Sequence, residues 1–302
     1  MVYLSLTRYA SIGFFGLGNM GKHMVINLLK VNHNITIFDT DSKTFDHFKE
    51  YKHVNIANKP EYVVQQSDFI ILMLPNGDIV RNVCQSNIFP LARKGTFIID
   101  CSTIDLRTSK ELAKIAQNEK LHFIDAPVSG GVIGAQQGTL TFMVGCELDD
   151  FKSVKPILAK MGKNIVRAGT NGSGLAAKIC NNLLAAISMI GTSEAMNLGI
   201  KLGLEKKVLN ELINSSTGQC WSSQSYNPCP GIIPNIPSNN NYQGGFASEL
   251  MTKDLLIALD AAKDVQAMTP LTEHATKFYQ EICSNGLNKK DFSVVFQYLN
   301  KE

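Results

Sequence analysis

Three clusters of residues in this chain have types and spacings that can do chemistry. The first is GLGNMG, with Gly16, Leu17, Gly18, Asn19, Met20 and Gly21, placed directly after the β-rich run SIGFF and directly before a helical pattern. In that setting the first glycine permits a tight turn and the second lets the backbone approach a pyrophosphate. The third lets helix and strand pack closely. The N–H groups at the start of the helix then face the anion. The pattern gains weight from the next β-rich run, NITIF, which ends at Asp39, the acid expected about 20 residues on to bind ribose hydroxyls. Asp39, seconded by Asp41, would repel a 2′-phosphate, and no arginine adjoins it, so NAD is expected rather than NADP. The chemistry such a cofactor brings is hydride transfer.

The second cluster is DAPVSGG, Asp125 to Gly131. Ser129, Gly130 and Gly131 can offer a hydroxyl and unobstructed backbone N–H groups to a carboxylate, although SGG taken alone is also a plain turn. Ligands of open α/β sheets lie beyond the carboxyl ends of the strands, so Leu74-Pro75 and Asp100 to Thr103 belong with this cluster as candidates. The third is GSGLAAKICNN, in which Lys178 and Asn182 stand four residues apart and share a helix face. Apolar neighbours Leu175, Ile179 and Leu183 would bury the lysine stem and could bring its pKa into the range for acid/base work. A solvated lysine on an amphipathic helix is the plainer alternative.

The elements that must position these residues follow from the pattern along the chain. From Ser11 to about Arg167, short β-rich runs alternate with amphipathic stretches, which predicts βαβ units and a parallel sheet with helices on both faces. The expected fold is α/β, a doubly wound Rossmann-type N-terminal domain over 11–168, followed by an all-α domain over 169–302. The second domain should open with one long helix over Gly174 to Leu202, with further helices near 205–215, 247–265, 271–284 and 291–299. Tyr226 to Gly245 holds four of the ten prolines and the run Asn239 to Asn241, so it is expected to be a long irregular loop. A structureless segment of that length in a compact domain points to function or disorder.

Composition narrows the classes. At 302 residues two domains are the natural division. A hydrophobic content of 44%, a charged content of 18% and a net charge of +3 describe a globular protein without a dedicated nucleic-acid or membrane surface. No apolar stretch runs 18 residues without polar interruption, so no membrane span is expected. The seven cysteines are scattered without a CxxC pair or a pairing with the six histidines, so neither a disulfide framework nor a metal site is expected, and a reducing compartment fits. Residues 1–10 contain Ser5, Thr7 and Arg8 and no acid, which suits either the remnant of a mitochondrial transit peptide or a short lead-in. The cytoplasm is the alternative compartment.

Taken in order, GLGNMG with Asp39, DAPVSGG, GSGLAAKICNN and MTKDL, Met251 to Leu255, resemble the β-hydroxyacid dehydrogenases from about Ser11 to Leu299. That resemblance implies NAD-dependent oxidation of a short β-hydroxy acid to its semialdehyde, with Lys178 as general acid/base and Asn182 orienting the substrate. It further implies that Ser129, Gly130 and Gly131 hold the substrate carboxylate. Leu74, Pro75, Thr103 and Lys253 would contact the cofactor. The stretch from GQCWSSQSYNPCPG to NNNYQGGF resembles one branch of the family rather than the bacterial semialdehyde reductases, and places Trp221 and Ser222 on the substrate side. A core tryptophan is the other reading of Trp221. Family members form homo-oligomers, so a homodimer or homotetramer is expected. Chromatin-associated relatives lack the lysine and carry basic extensions, and 6-phosphogluconate dehydrogenase has a longer helical domain; this chain departs from both.

Overall fold

The computed structural model describes residues 10–31, 33–51 and 53–300. The expected N-terminal lead-in therefore lies outside the described residues, apart from Ala10. The chain divides into two compact units, one reaching Lys178 and the other running from Ile179.

Nine strands form the sheet of the first unit: β1 (Ser11–Phe15), β2 (Asn34–Phe38), β3 (Val54–Ile56), β4 (Phe69–Leu72), β5 (Phe97–Asp100), β6 (His122–Asp125), β7 (Val128–Ser129), β8 (Leu140–Gly145) and β9 (Gly162–Gly169). Helices α1 (Gly21–Leu29), α2 (Pro60–Gln65), α3 (Gly77–Val83), α4 (Leu106–Asn118), α5 (Gly131–Gln137) and α6 (Leu148–Leu158) connect them. The order β3-β2-β1-β4-β5-β6-β8-β7, with β9 beside β8, is that of a doubly wound sheet. The central strands are parallel and buried on both faces. Ile12, Phe14, Ile35, Ile37 and Ile71 belong to one core, and Phe15, Ile70, Leu72 and Ile98 to the other.

The sheet is not wholly parallel. β8 runs antiparallel to both β6 and β7. The chain returns from β6 through the two-residue β7 and the short α5, and β8 enters the sheet in the opposite direction. Residues 42–48 form a 3-10 helix opened by Asp41, whose carboxylate accepts from Lys43 N–H.

The second unit is helical, with α8 (Lys206–Asn214), α9 (Trp221–Gln224), α10 (Ser248–Asp264), α11 (Pro270–Ile282) and α12 (Val295–Leu299). The 29-residue α7 (Ser173–Lys201) begins in the first unit and continues into the second. Its length and composition are those of a helix able to cross a membrane, contrary to the expectation from sequence, because Asn181, Asn182 and Glu194 interrupt the run without making it polar. Leu175 nevertheless lies in a core of the first unit, and Ala186 and Met189 lie in the core of the second with Met251, Leu255 and Tyr279. The segment from Tyr226 to Gly245 is irregular apart from a single 3-10 turn at Pro237–Asn239.

Candidate active site

In the first unit the parallel strands β1, β2, β4, β5 and β6 end at one edge of the sheet, and the predicted residues of that unit follow those ends. After β1, Gly16 has φ of 93°, a conformation that L side chains rarely adopt. A Cβ on Gly16 would lie 2.2 Å from Met73 O, and one on Gly21 would lie 1.9 Å from Gly16 O. Gly18 is different, because nothing lies within 4 Å of the place its Cβ would take. The loop is thus closed behind Gly16 and Gly21 and open in front of Gly18, the space that a pyrophosphate needs. Leu17 buries its side chain in the core, while Asn19 is exposed and Met20 stands just before α1 without a side-chain cap.

Asp39 follows β2 directly. One of its carboxylate oxygens accepts from Leu17 N–H at 2.6 Å, and the other accepts from Asp41 N–H at 2.8 Å. The acid after β2 is thereby tied to the glycine loop after β1, and the chain's own residues fit a dinucleotide. Leu74 follows β4, and its N–H donates to Ser102 Oγ at 2.9 Å. Ser102 in turn donates its own N–H to Asp100 at 3.0 Å, so the ends of β4 and β5 are laced together beside Thr103.

Ser129 lies in β7 opposite Thr141, and Gly130 and Gly131 take φ of 128° and 61° as the chain turns into α5. Lys178 is only 7% exposed. The solvated-lysine alternative therefore fails, since a lysine is seldom buried without a polar role. Sequence reasoning quoted Asp125 within its motif but assigned it nothing. Its carboxylate accepts from Gly172 N–H at 2.7 Å and Leu175 N–H at 3.0 Å, at the start of the helix that carries Lys178. Burial holds the Asp125 carboxyl up at about 6, against the pull of those N–H groups toward ionisation.

In the second unit Asn182 is buried one helical turn beyond Lys178, and its Nδ2 donates to Asp254 at 2.6 Å. Lys253 pairs with the other oxygen of Asp254 at 3.4 Å. Asp254 thus brings Asn182 and Lys253 together, and only its place beside Lys253 in MTKDL hinted at it. Trp221 is half exposed, so it is not a core tryptophan; it stacks on Tyr226 with ring centroids 4.8 Å apart. Ser222 beside it is fully buried. The structure therefore separates this pair, presenting the indole and enclosing the hydroxyl. Among the described residues no group of three His, Cys, Asp or Glu side chains could hold a metal ion.

A doubly wound sheet, a glycine loop open at Gly18 and an acid after β2 define an NAD-dependent oxidoreductase. Comparison with known proteins narrows the class. Residues 11–169 match the model of the NAD-binding domain of 6-phosphogluconate dehydrogenase, and 172–299 match the NAD-binding domain of NADP-dependent 3-hydroxyisobutyrate dehydrogenase. The chain is 48% identical to the probable mitochondrial 3-hydroxyisobutyrate dehydrogenase of Dictyostelium discoideum, over 99% of this chain and 94% of that protein. It is 46% identical to the human mitochondrial enzyme, over 99% of this chain and 89% of that one. The solved structure of Mycobacterium tuberculosis 3-hydroxyisobutyrate dehydrogenase with L-serine superposes with a TM-score of 0.92 at 36% identity, covering 97% of this chain and all of that one. The chain belongs to the 3-hydroxyisobutyrate dehydrogenase family.

Proposed function

We propose that this chain oxidises 3-hydroxyisobutyrate to methylmalonate semialdehyde with NAD, as a step of valine breakdown, with Lys178 as general acid/base. The observation that carries this reading is the buried Lys178 on a helix whose start is bound to the strand edge bearing the glycine loop, in a chain nearly half identical to its relatives over its whole length.

Gly16 to Gly21 would hold the pyrophosphate and Asp39 the ribose, with Leu74, Pro75, Thr103 and Lys253 as further cofactor contacts. When bound, NAD supplies the acceptor for the substrate's hydride. Ser129, Gly130 and Gly131 hold the substrate carboxylate, which leaves the hydroxyl end to be oriented by Asn182. Nζ of neutral Lys178 takes the hydroxyl proton in oxidation and returns it in reduction. Holding both ends of a small substrate contributes mainly through positioning. Trp221 and Ser222 would face the substrate, a role supported for Trp221 by its half-exposed indole. Asp39 and Asp41 favour NAD over NADP, although one matching domain model is described as NADP-dependent.

The proposed compartment is mitochondrial, as the relatives' names state for those proteins. Exposed Leu184 and Leu198 on α7, Leu202 just after it and Leu212 on α8 support a homodimer or homotetramer. A net charge of +3 without a run of like charges supports a small-molecule partner in place of nucleic acid or membrane.

The test is a panel of short hydroxy acids, with glycerate and 4-hydroxybutyrate beside 3-hydroxyisobutyrate, each with NAD and NADP and followed at the nicotinamide absorbance. The expected result is the highest kcat/KM for 3-hydroxyisobutyrate with NAD. A tenfold higher value for another acid would overturn the substrate assignment and leave the family intact.

A further inference from the structure

Asp125 ends β6 with its side chain fully enclosed. Helices begin with N–H groups that lack a partner within the helix, and these are normally capped by a side chain a few residues away. Here the acceptor comes from 47 and 50 residues upstream, through the bonds to Gly172 and Leu175. A second bond from the same strand supports them, since Asn171 Nδ2 donates to Phe123 O at 2.5 Å.

The socket around the carboxylate leaves no room for it to move. A Cβ on Gly174 would lie 2.8 Å from Asp125 Oδ2 and 2.2 Å from Met143 O, and a Cβ on Gly145 would lie 2.4 Å from Asp125 Oδ1. The helix start and strand β8 thus close on the carboxylate through glycines, one from each side. Lys178 follows Leu175 by three residues on the same helix. A slip of one residue at the helix start would turn its side chain by about 100° and shift it about 1.5 Å along the axis.

We infer that Asp125 is a positioning residue for the reaction: by binding the first turn of α7 to the end of β6, it sets the height and rotation at which Lys178 meets its substrate. This rests on the reading of Lys178 as the proton-transfer group. Asparagine in its place has nearly the same shape but only one acceptor oxygen, so one of the two N–H groups would face an amide donor. Alanine would leave both buried N–H groups without an acceptor.

The experiment compares Asp125→Asn, Asp125→Ala and Lys178→Ala with the unmodified full chain. It follows amide hydrogen exchange, NAD affinity, and kcat and KM for the best substrate of the panel. For Asp125→Asn the expected result is a 10- to 100-fold fall in kcat with NAD affinity within threefold. Faster exchange should be confined to 170–178, with the β1 to β5 amides unchanged. A residue that merely stabilises the fold would instead lower the melting temperature and leave kcat of the folded protein intact. If Asp125→Ala melts below the working temperature, Asp125→Asn carries the comparison alone. Near-normal kcat in Asp125→Asn, or unchanged exchange at 170–178, overturns the inference when Lys178→Ala is inactive. A Lys178→Ala variant that keeps its kcat overturns the proton-transfer reading itself.

Discussion

The loop from Gly16 to Gly21 takes its shape from side chains that are missing, whereas the loop from Tyr226 to Gly245 takes its shape from side chains that reach it from far along the chain. In the first, added Cβ atoms on Gly16 and Gly21 would strike backbone oxygens, and the space before Gly18 is left open. In the second, Asp291 accepts from Tyr226 Oη at 3.0 Å and from Phe246 N–H at 2.7 Å, while Asn227 and Ser238 hydrogen-bond at 3.0 Å across the loop itself. A loop defined by backbone sterics announces itself in its own six residues, although Met73 O and the Asp39 carboxylate complete its walls. A loop defined by distant partners is specified only when the fold supplies them, so its proline content announces an irregular path without giving its course.

The sharpest way to break the comparison is within the glycine loop. Gly21→Val should lower stability by roughly 4 kcal/mol or more, because its Cβ meets a backbone oxygen that cannot give way. Gly18→Val should keep the fold and lose NAD binding, since nothing of the protein occupies that space. Thermal melting and NAD titration of both variants separate the two roles. Equal losses of stability would show that Gly18 is structural after all.

Next in size is the helical unit. Asp291→Ala would strand the buried donors of Phe246 and Ser293, which Asp291 accepts together with the Tyr226 hydroxyl. The expected cost is about 3 kcal/mol in urea unfolding. Because Tyr226 stacks under Trp221, the indole fluorescence should shift as well. An unchanged unfolding midpoint would mean that the 226–245 loop is held by other contacts.

The smallest expected effect is on cofactor choice. Asp39→Asn should weaken NAD by about 1 to 3 kcal/mol while narrowing the preference over NADP, since the charge that repels a 2′-phosphate is removed. Part of that loss comes through the glycine loop, because Asp39 also accepts from Leu17 N–H. An unchanged ratio of NAD to NADP affinity would remove Asp39 from the ribose site.

The same contrast accounts for what the sequence made legible. The alternation of β-rich and amphipathic runs located β1, β2, β4, β5, β6, β8 and β9, and the long helix was expected within one residue of its observed ends, because each depends on local periodicity. β3 escaped notice because it is three residues long with an exposed edge pattern, and α9 because it is a single turn. The reversal at β8 depends on pairing between distant strands, which no local pattern encodes. At the site, Gly16, Gly18, Gly21 and Asp39 stood out by type and spacing, and Lys178 by the resemblance of its motif. Asp125 and Asp254 did not, although both lay inside motifs already quoted, because their roles reside in bonds to residues 47 to 72 positions away.

The central claim is that Lys178 moves the proton in an NAD-dependent oxidation, and Lys178→Arg tests it most directly. Arginine keeps the charge and much of the stem but does not deprotonate in the working range. Stopped-flow or steady-state oxidation of 3-hydroxyisobutyrate, with NAD affinity measured alongside, should show kcat lower by about 10² to 10⁴ and NAD binding within a few fold. Turnover near that of the unmodified chain would contradict the account and give the proton to another group.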